Sequence, residues 1–273
     1  MSFTKEAIQH LEKSEVLDRL NVELGGIGTK APVIITPEGF SLSCLEKHME
    51  NRTTYRFDFS TKSIKDFGAY CKEFDMAGGK CFVNSDCMYA QSIFDLGTYE
   101  APLHQLHKAT LQLDKTAAFK SLLSLSGKHL SQKDAANFVE DWADNVVVTS
   151  KDGVVMTINQ AAKQLREITI EQVAKVDSQV GDFGESMSAF EKIEAKNQEL
   201  IPASIKFTCS PYHGLGMREF TVRVGIITGE QKPSISLRII KLEAQEEDMA
   251  EEFKEILVDM FADTQLATFI GKA

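Results

Sequence analysis

Tyr212, His213 and Arg218 stand close together in the stretch Cys209-Ser210-Pro211-Tyr212-His213-Gly214-Leu215-Gly216-Met217-Arg218-Glu219-Phe220. A phenol, an imidazole and a guanidinium are groups that hold ligands and partners: a stiff aromatic anchor, a donor-acceptor ring and a planar cation. Pro211, Gly214 and Gly216 suit turn geometry, and the flanks Ser204-Ile205-Lys206-Phe207-Thr208 and Phe220-Thr221-Val222-Arg223-Val224 alternate apolar and polar as half-buried strands do. The segment therefore reads as a loop between paired strands, presenting candidate binding residues from a rigid base. The alternative places Tyr212 under the turn and pairs Arg218 with a nearby acid. The sequence leaves both open.

Other sets of reactive side chains give less. His104 and His107 would share a helix face and offer two imidazoles to zinc. Pro102 precedes them, a strand-like run follows, and no third ligand or glutamate base accompanies them, so no metal and no cofactor are expected. His107 stays a candidate for ligand or partner contact. Cys81 and Cys87 flank a predicted hairpin and read as structural thiols. Asp58 and Asp95, each between apolar neighbours, would need to share a strand face to act as a carboxylate pair. No serine or cysteine has a recognisable elbow or base, so no catalytic residue is assigned and the chain reads as a non-enzyme. Arg56, Arg166, Arg218, Arg223 and Arg238 fall in or beside predicted strands; scattered charges facing water are the favoured reading, and a shared sheet face that meets phosphate groups is the alternative, which periodicity does not establish.

Composition sets the frame. The 273 residues, 43% of them hydrophobic, can bury one large core or two small ones. A net charge of -10 is the wrong sign for gripping phosphate backbones through the overall field, although a local basic patch does not show in that sum. Nucleic acid is thus an unfavoured partner that is not excluded. Five widely spaced cysteines without a CxxC pair fit free thiols in a reducing cytoplasm. No apolar run is long enough to span a bilayer, and no membrane association is expected.

The elements that would position these groups follow from periodicity. A helix is predicted over Thr4 to Leu20, then a flexible Gly25-Gly26-Ile27-Gly28 connector and a short strand over 32–37. Thr54 to Phe59 alternates as a strand, and Ser63 caps a helix carrying Phe67, Tyr70, Cys71 and Phe74. Residues 80–84 and 88–96 form a hairpin around Ser85-Asp86, and 107–113 a further strand. Thr116 and Ser131 cap two helices, the second leading to Trp142. Asp152-Gly153 is a turn and Thr157 to Gln164 a helix, after which residues 168–176 fit strand slightly better than helix and 183–195 are helical. Strands follow at 204–209, 219–227 and 234–242, and a last helix from Ala244 to Ile270. The expected fold is α+β, with mixed, mostly antiparallel sheets, helices on one side and helical termini. Its organisation is an N-terminal helix and linker (1–30), an α+β part (31–150) and a second α+β part with the C-terminal helix (151–273), the last two possible as one continuous domain.

Several of these runs in order, Tyr55-Arg56-Phe57-Asp58-Phe59, Ile93-Phe94-Asp95-Leu96, Pro102 with His107 and Ala109, Phe138-Val139-Glu140-Asp141, Leu165 to Ile170, and Pro211-Tyr212-His213-Gly214-Leu215 with Arg218-Glu219-Phe220, resemble the YfdQ-like proteins of phages and prophages. The resemblance covers about residues 30–240. It implies a phage or prophage origin, the cytoplasm of a bacterial host, and a family without a defined biochemical function. It brings no catalytic residues. Where the family pattern carries tryptophan, His104 and the Leu122-Leu123 region stand here. Three functions are compatible with this reading. The first is a non-enzymatic interaction protein that self-associates, since strand-rich domains have edges to cover. The others are an accessory factor in phage DNA metabolism or recombination, which needs an arginine-lined surface, and an inhibitor of a host defence component or its nucleotide signal.

Overall fold

The computed structural model describes residues 5, 13–16, 18–19, 46, 49–168, 201–227 and 233–273. The chain divides into two compact units, Met1–Asp58 and Phe59–Ala273. In the first, residues 13–16 and 18–19 are helical, and Arg19 reaches Glu15 one turn back at 2.8 Å. Glu46, in the same unit, accepts hydrogen bonds from the Thr53 amide and hydroxyl and from Arg56. Most of the predicted first helix, the glycine connector, the strand at 32–37, the run at 168–176 from residue 169, the helix at 183–195 and most of the connection at 229–233 lie outside the described residues.

The second unit is α+β, as expected, and is built on two sheets. The first has the order β1 (Phe57–Thr61), β4 (His107–Gln112), β3 (Tyr89–Ile93), β2 (Lys80–Asn84), β11 (Ala267–Ile270). The second has the order β5 (His129–Leu130), β10 (Ser234–Ile239), β9 (Arg218–Ile227), β8 (Pro202–Cys209), β6 (Val146–Ser150), β7 (Val155–Met156). Described pairings are antiparallel except β11 with β2, which is parallel.

Period-two alternation decides which faces are buried. Phe220, Val222 and Val224 of β9 turn inward with Ile205 and Phe207 of β8 and Ile235, Leu237 and Ile239 of β10, while Lys206, Thr221, Arg223 and Arg238 face out. The inner faces are covered by helices: α1 (Ile64–Glu73) and α5 (Leu242–Phe261) on the first sheet, α2 (Ala117–Leu125), α3 (Gln132–Asp141) and α4 (Ile158–Glu167) on the second. Phe67 of α1 meets Phe261 of α5 edge-on at 6.0 Å, Phe119 of α2 stacks on Phe220 at 5.1 Å, and Phe138 of α3 stacks on Phe207 at 5.6 Å. A single cluster of buried side chains runs from Ile64 to Leu266 and includes residues of both sheets.

Helix starts are fixed by side-chain oxygens that accept otherwise orphaned amides. Ser63 accepts from Asp66, Thr116 from Phe119 and Ser131 from Asp134. Thr157 and Gln160 form a reciprocal capping box. The C-terminus departs from expectation. The last helix stops at Phe261, and the chain returns as β11 instead of continuing helical to Ile270. The Thr264 hydroxyl donates to the Phe261 carbonyl, and the Gln265 amide donates to the Asp75 carboxylate at 3.0 Å, which turns the chain onto the edge of β2. Three further strands depart from expectation, β5, β6 and β7, although Val146-Val147-Val148-Thr149 ahead of Asp152-Gly153 is a strand-and-turn signal.

Removing the Phe220 ring leaves a void against Phe119 in the layer joining α2 to β9. Phe220→Ala should cost about 3–5 kcal/mol, measured as a lower urea midpoint at unchanged m-value.

Candidate functional site

The segment after β8 is held on all sides. Thr116 donates its amide to the Pro211 carbonyl at 2.9 Å and its hydroxyl to the Ser210 carbonyl at 2.6 Å, and Lys115 and Tyr212 form an antiparallel bridge. The Ser210 hydroxyl lies 2.7 Å from the Tyr212 carbonyl and 2.9 Å from that of Leu215, closing the turn from within. Gly214 has φ +102°, and a Cβ there would sit 2.8 Å from Ile64 of α1, so only glycine fits both the backbone and the space. The loop is thereby the seam between the β4–α2 connection and the β8–β9 hairpin.

Its side chains follow from that position. Tyr212 is half-buried with its ring 6.1 Å from Phe119, and burial, with Glu246 nearby, pushes its phenol pKa up. Arg218, 19% exposed, lies 2.7 Å from Glu252 and donates to the Asp248 carbonyl at 3.0 Å, both on α5. The other Glu252 oxygen accepts the Gly216 amide at 2.7 Å. One carboxylate thus ties both the loop backbone and the guanidinium to the final helix. His213 is exposed, its amide donating to the Asp114 carbonyl. Asp114 itself is held below the usual carboxylate range, mainly by Lys62 at 2.6 Å and in small part by His213.

His107 lies elsewhere, at the start of β4, and the structure does not bring it to the Tyr212–Arg218 loop. Its ring packs among Tyr70, Phe74 and Phe94, with Nε2 2.9 Å from the Tyr70 hydroxyl. Burial lowers its pKa and the Asp95 charge partly opposes this. Asp95 accepts the amides of Leu106 and His107 at 2.8 and 2.9 Å, so this carboxylate fixes the entry into β4. His104 is exposed in a non-helical stretch, so the two imidazoles do not share a helix face. Among the described residues no three His, Cys, Asp or Glu side chains converge on a metal position. Cys71 and Cys81 are buried, with thiol pKa values raised to about 12 and about 11, against nucleophilic use. Cys87 is exposed.

The five arginines separate into two groups. Arg56 is paired with Glu46, Arg166 with Glu140 at 2.8 Å, and Arg218 with Glu252. Arg223 and Arg238 are cross-strand partners on β9 and β10, both exposed on the outer face. Among the described residues no carboxylate pairs with either. Like charges directly opposite in an antiparallel pair oppose folding. Periodicity placed both in strands, but only the register of β9 on β10 sets them side by side.

Two outcomes test these assignments. Truncating Glu252 strands the part-buried Arg218 and frees the Gly216 amide, so Glu252→Ala should cost about 1–3 kcal/mol, well above an exposed ion pair, in chemical denaturation. His107 is favoured neutral in the folded state, so protons bind the unfolded chain first. Its contribution is complete above about 6.5, the unfolded value, and declines as pH falls toward the lowered folded value. His107→Gln should flatten the acid limb of stability against pH below 6.5.

Among the described residues no helix is long and apolar enough to cross a membrane. No curated protein and no solved structure matches the chain. The family model described as an uncharacterized conserved protein, DUF2303, matches residues 4–273, and the chain belongs to that family.

Proposed function

We propose that this chain is a non-enzymatic interaction protein of a phage or prophage, working in the cytoplasm of the bacterial host, and that it assembles into a homo-oligomer. The observation that carries assembly is the outer edge of β11. Among the described residues no strand flanks it, and it leaves Phe269 48% and Ile270 56% exposed, with Phe269 stacked on Phe82 at 5.9 Å. A strand edge with unpaired amides and carbonyls, flanked by exposed apolar side chains, is a template for pairing with another chain. The second sheet differs: its edge strands β5 and β7 are two residues long, too short to recruit a neighbour. A symmetric assembly of identical chains covers such an edge with the same surface on each partner. The phage setting rests on the ordered sequence likeness from Tyr55 to Phe220.

Size exclusion with light scattering tests this directly. The expected mass is a defined multiple of 30.4 kDa, reduced to the single-chain mass by Ile270→Lys with an unchanged far-UV circular dichroism spectrum. A wild-type protein that stays at 30.4 kDa at every concentration contradicts the assembly.

A further inference from the structure

The outer face of the second sheet carries charge of the opposite sign to the whole molecule. Across β10, β9, β8 and β6 one row runs Arg238, Arg223, Ser204, Thr149 in register. At about 4.8 Å per strand this line is about 14 Å long, with two cations at one end and, at the other, the Ser204 and Thr149 hydroxyls bonded to each other at 2.7 Å. Ser236, opposite His129, lies beside it on one side, and Thr221 opposite Lys206 on the other. The acid of this neighbourhood, Glu219, is already bonded to Lys206 at 2.9 Å. No carboxylate among the described residues reaches either arginine, in a chain that carries 40 acidic residues against 30 basic ones. Helices cover the opposite face of this sheet, so these side chains do not serve the core.

We propose that this row binds the phosphodiester backbone of a single-stranded nucleic acid, with Arg223 and Arg238 each meeting a phosphate and the flanking Ser236 and Thr221 hydroxyls donating to the next. The inference is independent of how the chain assembles. Two guanidiniums held opposite one another repel until an anion lies between them, and phosphate takes their paired N–H donors in a forked geometry. Among the described residues these groups lie along a line across four strands and do not converge on one point, as the enclosure of a small anion requires. A flexible strand can follow a line of donors across a sheet, whereas a duplex presents phosphates on a rigid convex cylinder. The chain's negative total conceals the patch in the sequence sum, and the other three arginines in or beside the strands, Arg56, Arg166 and Arg218, are paired with acids.

The test is fluorescence anisotropy of the full chain with a labelled oligothymidine of about 20 nucleotides, a duplex of equal length, and a salt titration. Wild type is expected to bind the single strand more tightly than the duplex. Arg223→Ser with Arg238→Ser should weaken this at least about tenfold and reduce the salt slope by about 1.4, two phosphate contacts at about 0.7 each for single strands. Arg223→Lys with Arg238→Lys keeps the charge and should recover most of that slope but less of the affinity, since the forked donors are lost. Because the pair repels, the serine variant should melt at or above the wild-type temperature, which separates lost binding from lost folding. No single-strand binding by wild type at low salt, unchanged binding by the serine variant, or equal binding of duplex overturns the proposal.

Discussion

The second unit depends on one packing constraint: two sheets share a single apolar interior, and each closes it with its own helices. Phe119 on Phe220 and Phe138 on Phe207 press α2 and α3 onto the second sheet, and Phe67 with Phe261 joins α1 to α5 above the first. Burying rings of this size supplies most of the free energy such a layer gains, and it requires that the sheets be linked without gaps. The loop after β8 meets that requirement. Its carbonyls accept from Thr116, Gly214 lets the backbone approach Ile64, and Glu252 closes it from α5. A segment rich in recognition-type side chains therefore spends most of them internally, with His213 left facing solvent.

Polar chemistry in this chain divides by the company it keeps. Asp95 and Glu252 accept backbone amides and set the course of the chain. Glu46 and Glu140 neutralise Arg56 and Arg166. The thiols of Cys71 and Cys81 and the imidazole of His107 sit in apolar surroundings that suppress their charged forms. The same residue types would be read as functional had they been left exposed and unpaired. Arg223 and Arg238 meet both conditions among the described residues, as the edge strand β11 does for backbone pairing.

Much of the fold was legible in order along the chain. Ser63, Thr116 and Ser131 announced three helix starts, because capping is a contact within three residues. The hairpin of β2 and β3 and the long strands β8, β9 and β10 follow from alternation and turn residues. The C-terminal strand was missed because the contact that turns the chain, Gln265 on Asp75, links residues 190 positions apart. Of the candidate residues, Tyr212 and His213 lie in one loop and Arg218 opens the strand β9 that follows it, while His107 belongs to a separate apolar enclosure.

The sequence by itself determined the α+β class, the helix caps and the alternating faces of the main strands, since each is set by neighbours a few residues apart. It also determined that the net charge is negative and the cysteines too scattered for a disulfide scaffold. Only the tertiary structure decided which arginines are neutralised, that Arg218 faces Glu252 and that Arg223 faces Arg238. It likewise placed β11 at an open edge. Pairing across a sheet or between a loop and a distant helix depends on register and long-range packing, and a single sequence carries no local signal for either.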